Sequence, residues 1–242
     1  MARRLFYAQE WKSGKAFLRG ETAEHLRRVL RAERGQLYEL SDGEHLWLAR
    51  VETFGKETVE FTLLEPLPAV RRHAPIHLLA SLFKFDRFEW MIEKATELGV
   101  GRITPVVSLR SEKGLDTAAE KRRARWEKIA REAGQQSRRL RPPEIGPVIQ
   151  FKDALHTQAE TRLFLDEAED APPILSVLTN PSAPAALLCG PEGGWDPRER
   201  EAAQLASWQP VSLGPLILRA ETAALSALAV LTATQISARN ES

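Results

Sequence analysis

The spacing of hydrophobic and polar positions divides the chain near residue 75. Before that point Gln36 to Leu40, His45 to Phe54 and Val59 to Leu64 alternate with the two-residue period of half-buried strands, separated by the Ser41-Asp-Gly43 turn and by Gly55-Lys-Glu-Thr58. This predicts a β-meander within a small β-rich module. One helical stretch precedes it: Thr22 to Leu30 carries Leu26, Val29 and Leu30 at helical spacing, with Arg27, Arg28 and Arg31 on the remaining surface and Gly35 as its stop. Glu65 to Pro75 then holds three prolines in eleven residues, which marks a linker.

From Ile76 the period changes. Ile76 to Phe83 is a continuous apolar run, the signature of a strand covered on both faces. A helix capped by Asp86 follows, with Phe88, Met91, Ile92, Ala95 and Leu98 on one stripe and Gly99 just past its end. Ile103 to Val107 is the next strand. Thr117 to Ala133 reads as a helix packed through Trp126, Ile129, Ala130 and Ala133, and the basic loop Gln135 to Glu144 follows it. Arg162 to Asp166, Ala185 to Cys189 and Val211 to Leu213 complete the strands, and Glu221 to Ile236 closes with a helix. Alternation of this kind predicts an α/β domain with a mainly parallel sheet and helices on both faces.

Two strand ends carry candidate chemistry: Leu187-Leu-Cys-Gly-Pro-Glu-Gly-Gly-Trp195 and Leu213-Gly-Pro-Leu-Ile-Leu-Arg-Ala-Glu-Thr222. Each breaks at glycine and proline and runs into a helix, as ligand loops do at the carboxyl ends of α/β strands. Asp196-Pro-Arg-Glu199 after the first reads as a capping box, with Pro197 at the first helical position. If the two strands are parallel neighbours joined by one helix, the loops lie side by side and line one small-molecule pocket. The bland alternative is an ordinary glycine turn before a helix. Neither loop has the glycine spacing of a dinucleotide fingerprint, and no Gly-Lys-Ser/Thr of a P-loop follows.

Charge changes the picture more than bulk composition does. The net charge is +1, yet residues 1 to 141 hold 28 lysines and arginines against 20 acids, and residues 142 to 242 hold 6 against 13. That split suits a basic part gripping an anionic polymer and a second part housing chemistry; a solvated charged surface is the common alternative. A single cysteine, Cys189, excludes an internal disulfide framework, and its place in an apolar strand reads as a buried, inert thiol. No run reaches eighteen apolar residues, and Met1 to Tyr7 lacks the apolar core of a signal peptide, so the expected setting is the cytosol and not a membrane. His73 and His77 are four apart, but Pro75 between them denies a shared helix face, so no metal site is expected. His25 lies among arginines, as an RNA contact or an ordinary surface histidine. Trp90 and Trp126 read as core, and Phe6 and Tyr7 beside Arg3 and Arg4 as base-stacking candidates.

Cys-Gly-Pro-Glu-Gly-Gly at 189 to 194 and Leu-Gly-x-x-Ile-Leu-Arg-x-Glu-Thr at 213 to 222 resemble the signature loops of the RNA methyltransferase E family of the SPOUT superfamily. The likeness extends through Lys84-x-Asp-Arg-x-Glu89, Lys94 to Val100, Glu132-Ala-x-x-Gln-Ser137, His25-Leu-x-x-Val-Leu-Arg31 and Asp42-Gly43, and so covers nearly the whole chain. Arg138 stands where a small residue is expected, and Leu140 where a polar one is common. The resemblance implies a PUA-like β-barrel domain over 1–70 and, over 74–242, a SPOUT domain whose C-terminal trefoil knot encloses S-adenosyl-L-methionine. It also implies a cytoplasmic homodimer that methylates N3 of a uridine in 16S rRNA of the small ribosomal subunit.

By the same resemblance the cofactor is held by Leu188, Cys189, Gly190, Glu192, Gly193, Gly194, Leu213, Gly214, Leu218, Arg219 and Thr222, and RNA by Arg3, Arg4, Arg27, Arg28, Arg31, Lys84, Arg110, Gln136, Arg138, Arg139 and Arg141. Uracil N3 is a poor nucleophile until its proton leaves, so the reaction needs a proton acceptor and a group that stabilises the ring anion. Arg219 suits the second task and Glu221 the first, making them the expected catalytic pair. Two other roles stay open: an Arg219–Glu221 ion pair or a helix-start carboxylate for this pair, and substrate binding or loop fixing for Glu192. Outside this family, a non-catalytic RNA-binding assembly protein would explain the basic half without needing the glycine loops, and another α/β nucleotide enzyme would need the loops but not RNA.

Overall fold

A computed structural model describes residues 4–68, 74–112, 114–168 and 170–240. Two compact units emerge: the described residues up to 68 with 134–142, and 74–133 with 143–240.

The first unit contains β1 (Leu5–Tyr7), β2 (Glu10–Lys12), β3 (Lys15–Arg19), α1 (Gly20–Glu24), β4 (Leu37–Ser41), β5 (Leu46–Phe54) and β6 (Thr58–Leu67). Its sheet runs β1-β4-β5-β6-β3-β2, antiparallel except for the β1/β4 pair. The meander predicted from alternation is β4-β5-β6, and its inward positions Leu40, Val51, Val59 and Phe61 are buried with Ala16, Leu18 and Leu26. Three details differ from the sequence reading. β6 continues to Leu67 with Pro66 opposite Trp47, so the linker does not begin at Glu65. The helix ends at Glu24 and passes into a π-helical turn, His25–Val29, closed by Leu30 N donating to His25 O at 3.1 Å; the extra residue in the turn rotates Val29 outward, leaving it 64% exposed. Phe6 and Tyr7 are core residues of β1, Phe6 lying edge-on to Tyr38, and so do not offer stacking faces to a base.

The second unit begins with β7 (Ile76–Ser81), α2 (Phe85–Glu97), β8 (Arg102–Val107), α3 (Leu115–Gln136), β9 (Glu144–Ile145), β10 (Ile149–Gln150) and α4 (Phe151–Ala154). It continues through β11 (Thr161–Leu165), α5 (Ile174–Val177), β12 (Ala185–Cys189), α6 (Pro197–Leu205), β13 (Gln209–Val211) and α7 (Ala220–Asn240). All its strands pair in parallel, in the order β10-β8-β7-β12-β11-β13, with β9 also against β8. Helices cover both faces. On β12, Ala185, Leu187 and Cys189 pack with residues of α2, α3 and α7, while Ala186 and Leu188 face the side of α4 and α6. Lys84, not Asp86, is the N-cap residue of α2; Asp86 sits in its first turn. Trp126 is buried against Phe88, whereas Trp90 is 47% exposed and outside the core.

Residues 134–142, assigned from sequence to a basic loop of the second domain, pack with the first unit as a strap. Tyr7 Oη donates to Arg139 O at 2.9 Å, Ser41 Oγ donates to Leu140 O at 2.6 Å, and Leu140 is buried with Leu5, Tyr7 and Leu46. Arg138 stands just past the end of α3 with φ 61°, a left-handed conformation that suits glycine, and its guanidinium holds both oxygens of the buried Glu39 carboxylate. The two departures from the family pattern thus have local causes: Leu140 fills an apolar site, and Arg138 supplies the partner of Glu39. We expect Arg138→Ala to destabilise this unit more than Arg138→Gly, by about 1 kcal/mol, because alanine keeps the left-handed strain. Adding Glu39→Gln to Arg138→Gly should recover stability by removing a buried charge without its partner. Urea titrations of the variants test this; equal losses for Arg138→Ala and Arg138→Gly would show that the backbone at 138 carries no strain.

Candidate active site

The carboxyl ends of β12, β11 and β13 place three loops in a row. Contrary to the sequence expectation, β12 and β13 are not neighbours, because β11 pairs with β12 on one side and β13 on the other. The loop after β11 therefore takes part in the site. Trp195 stacks on Phe164 at 4.6 Å and donates its indole N–H to Leu165 O at 2.7 Å, fixing the glycine loop to the end of β11. Arg200 of α6 tightens the same junction: its Nε meets both oxygens of Asp166 at 3.0 Å, Nη2 meets Glu167 at 2.9 Å and Nη1 donates to Trp195 O at 2.9 Å.

The capping box forms as the sequence predicts. Asp196 accepts from Arg198 N, and Glu199 Oε2 accepts from Asp196 N at 3.1 Å. Buried Glu199 also accepts from Leu109 N at 2.8 Å through Oε1, tying the loop after β8 to the start of α6. From that loop Arg110 Nη1 donates to Gly193 O at 3.1 Å. A residue expected to touch RNA thus buttresses the glycine loop. A Cβ on Gly190 would stand 3.0 Å from the Trp195 ring, and Gly194 has φ 67° with Glu167 Oε1 2.5 Å from where its Cβ would be. Leu188 and Cys189 are interior side chains on opposite sheet faces, so only their backbone can meet a ligand; burial pushes the Cys189 thiol pKa up, which leaves it protonated and inert.

The second loop is open. Gly214 has φ 126° and nothing near a would-be Cβ, while Leu216 and Ile217 are 77% and 90% exposed and Leu218, Arg219 and Thr222 are exposed as well. At its end the chain turns into α7, with Glu221 in the first turn. Glu221 is buried, and its Oε2 has no hydrogen-bond partner among the described residues. Arg219 does not pair with it: among the described residues the Arg219 side chain has no ion pair, and Glu221 Oε1 instead lies 3.9 Å from Arg87 Nε. Arg87 Nη1 also meets Glu192 Oε1 at 2.6 Å. One guanidinium on α2 thus joins the glycine loop to the start of α7. Sequence reasoning missed Arg87 as a site residue; its only signal was its place in Lys84-x-Asp-Arg-x-Glu89.

Of the remaining expected RNA contacts, Arg27 donates to Gly55 O and Lys56 O at 3.2 Å, Arg28 pairs with Glu24 at 2.8 Å, and Arg31 has φ 49°. Lys84, Gln136 and Arg141 are exposed, as is Arg4, whose carbonyl accepts from Glu39 N. Arg3 lies outside the described residues. On α3, Arg122 and Arg125 converge on Glu89; burial raises this carboxyl, but the two arginines outweigh it and hold its pKa below the usual range. His77 is bonded to Thr104 Oγ1 at 2.8 Å, and burial, with Arg102 nearby, lowers its pKa to about 4, so it is neutral at pH 7; His73 lies outside the described residues. No group of three metal-ligating side chains converges among the described residues, and no helix there is long and apolar enough to cross a membrane.

The second loop suits a cofactor with an aromatic base, since it offers exposed apolar side chains and open backbone. Comparison with known proteins agrees. Residues 71–232 match the RNA methyltransferase domain family, so a parallel sheet with this pair of loops is here the framework of an RNA methyltransferase. The small subunit methyltransferase E of Bacillus subtilis is 32% identical over 225 residues, covering 88% of this chain and 87% of that protein. Its counterpart from Mesomycoplasma hyopneumoniae is 36% identical over 148 residues, 61% of this chain and 65% of that one. The Neisseria gonorrhoeae enzyme, crystallised with S-adenosylmethionine bound, superposes with a TM-score of 0.87 at 32% identity over 96% of this chain and 98% of that one. The chain belongs to the ribosomal RNA small subunit methyltransferase E family, a family of S-adenosylmethionine-using methyltransferases.

Proposed function

We propose that this protein transfers a methyl group from S-adenosylmethionine to N3 of one uridine of 16S rRNA in the small ribosomal subunit. The observation that carries the reading is the joining of the glycine loop to the start of α7, with Arg87 between Glu192 of the one and the buried Glu221 of the other. When bound, the cofactor supplies an electrophilic methyl on a sulfonium. Backbone groups of 188–194 and 213–219, with Leu218 and Thr222 beside them, hold it. Glu221 takes the N3 proton, and the Arg219 guanidinium stabilises the charge that develops on the uracil ring. The tightly capped start of α6 and the Trp195 pillar keep the first loop rigid, so that orientation is settled before the substrate arrives.

In this reading the first unit is a PUA-like barrel, the C-terminal segment is a trefoil knot, and the protein works as a homodimer in the cytosol. RNA is gripped by Arg4, Arg27, Arg28, Arg31, Lys84, Gln136, Arg139 and Arg141, while Arg138 and Arg110 serve mainly to hold the strap and the glycine loop. Binding to small-subunit RNA should then weaken linearly on a log-log plot against salt. Arg139→Ala with Arg141→Ala should flatten the slope by about 0.7 for each phosphate no longer neutralised, leaving cofactor affinity intact. A salt-independent affinity, or equal weakening of both ligands, contradicts this grip. The activity is tested by incubating the protein with labelled S-adenosylmethionine and small ribosomal subunits lacking the modification. Label enters 16S rRNA if the reading is right; tight RNA binding without transfer would make the protein a non-catalytic assembly factor.

A further inference from the structure

We propose that Glu167 is a cofactor-binding residue whose carboxylate receives the ribose hydroxyls of S-adenosylmethionine. The proposal rests on the cofactor lying across the two glycine loops. Glu167 belongs to neither: it follows β11, the strand between them, and its side chain is 49% exposed, so a ligand can reach it. Phe164 pairs with Leu188 and Leu165 with Val211; carried on in that register, Glu167 comes level with Pro191 of the first loop and Leu213 of the second.

The carboxylate is held against the glycine loop. Arg200 Nη2 donates to Oε1 at 2.9 Å, and Arg200 is itself fixed by both oxygens of Asp166. Oε1 stands 2.5 Å and Oε2 3.7 Å from where a Cβ on Gly194 would be, so the carboxylate occupies the space that the missing side chain leaves. Oε2 makes no hydrogen bond among the described residues. The other acids around the loops are committed: Glu192 to Arg87, Glu199 to the capping box and Leu109 N, and Asp166 to Arg200, while Glu221 is buried. Glu167 therefore offers an accessible carboxylate oxygen at a fixed position beside the glycine loop.

The chemistry and spacing of the cofactor select what that oxygen accepts. A vicinal diol presents two O–H donors, which a carboxylate answers with charge-assisted hydrogen bonds, as an acid does for the ribose of dinucleotides in other α/β folds. The apolar loop after β13 suits the adenine. Neighbouring strands lie about 4.8 Å apart, so the ribose bonded to that base falls beside the loop of the adjacent β11. The methyl-bearing end then continues to the glycine loop after β12, on the other side of β11.

A chemical double-mutant cycle tests this by calorimetry on the full-length protein. S-adenosylhomocysteine, its 2′-deoxy and 3′-deoxy forms and an analogue lacking the α-amino group are titrated into wild type, Glu167→Ala and Glu167→Gln. In wild type, loss of a ribose hydroxyl should weaken binding about tenfold or more. In Glu167→Ala the same loss should cost little, with Glu167→Gln between the two because its carbonyl still accepts. Loss of the amino group should cost the same in all three proteins. A residue that merely braced Arg200 would behave differently, since its removal weakens all four ligands by one common factor. That result, an equal hydroxyl penalty in wild type and variants, overturns the proposal, as does the lack of a hydroxyl penalty in wild type. An amino-group penalty that vanishes in Glu167→Ala also overturns it and gives the carboxylate to the methionine end. If Glu167→Ala binds too weakly to titrate, the Glu167→Gln arm decides alone. Failure of the loop placement beneath the proposal is read separately, from undiminished S-adenosylmethionine binding in both Gly194→Val and Gly214→Val.

Discussion

Arg219→Lys and Glu221→Gln should each lower single-turnover methylation about a hundredfold or more while leaving the fold and most cofactor binding in place. Both substitutions nearly preserve volume. Lysine keeps the positive charge at 219 but loses the planar fork that can meet a delocalised ring anion at two points, and the exposed Arg219 side chain has no structural ion pair among the described residues whose removal would confuse the result. Glutamine at 221 keeps an oxygen but cannot accept the N3 proton; because Glu221 pairs only loosely with Arg87, at 3.9 Å, neutralising it costs little local structure. Raising the pH should partly rescue Glu221→Gln, since more uracil is then ionised without help, and should do less for Arg219→Lys. Stopped reactions at fixed cofactor saturation across about pH 7 to 9 measure this. Wild-type rates in both variants would reduce the pair to loop architecture, and a Glu221→Gln defect without rescue would remove the proton-acceptor role alone.

The second large effect is on the cofactor. Gly194→Val and Gly214→Val should each weaken S-adenosylmethionine binding by about 5- to 150-fold, the range that corresponds to about 1–3 kcal/mol of backbone strain. The two act differently. At Gly194, with φ 67°, a side chain meets Glu167 Oε1 and disturbs the Arg200 pairing that holds the loop to β11. At Gly214 there is room for a side chain, but φ 126° lies where β-branched residues are strained, so the loop must change its path. Calorimetry on the folded variants decides the matter; undiminished affinity in both would move the cofactor away from these loops.

Much of this was legible in the sequence because the signals were local. The capping box at Asp196 needs only Asp, Pro and Glu in register, and the parallel strands announce themselves as apolar runs such as Ala185 to Cys189, buried at every position. What sequence could not supply was neighbourhood. The insertion of β11 between β12 and β13 is a matter of strand order, to which periodicity is blind, and it brought Asp166 and Glu167 into the site. Arg87 lies 105 residues from Glu192 and reads locally as one more charge on a solvated helix face. Tyr7, Trp90 and Val29 depart from their local pattern for a related reason. Burial depends on what packs across the element, and a π-turn or a strap from residue 134 onward alters that without altering local pattern.

Methylation of uracil N3 is decided by nucleoside analysis of the product. Small subunits lacking the modification are incubated with the wild-type protein and S-adenosylmethionine, the 16S rRNA is digested, and the nucleosides are separated and weighed. One new 3-methyluridine per subunit is expected, mapped to a single position and absent or greatly delayed with Glu221→Gln. A methyl group found on ribose or on another base would contradict it, as would 3-methyluridine formed at the wild-type rate by the variant.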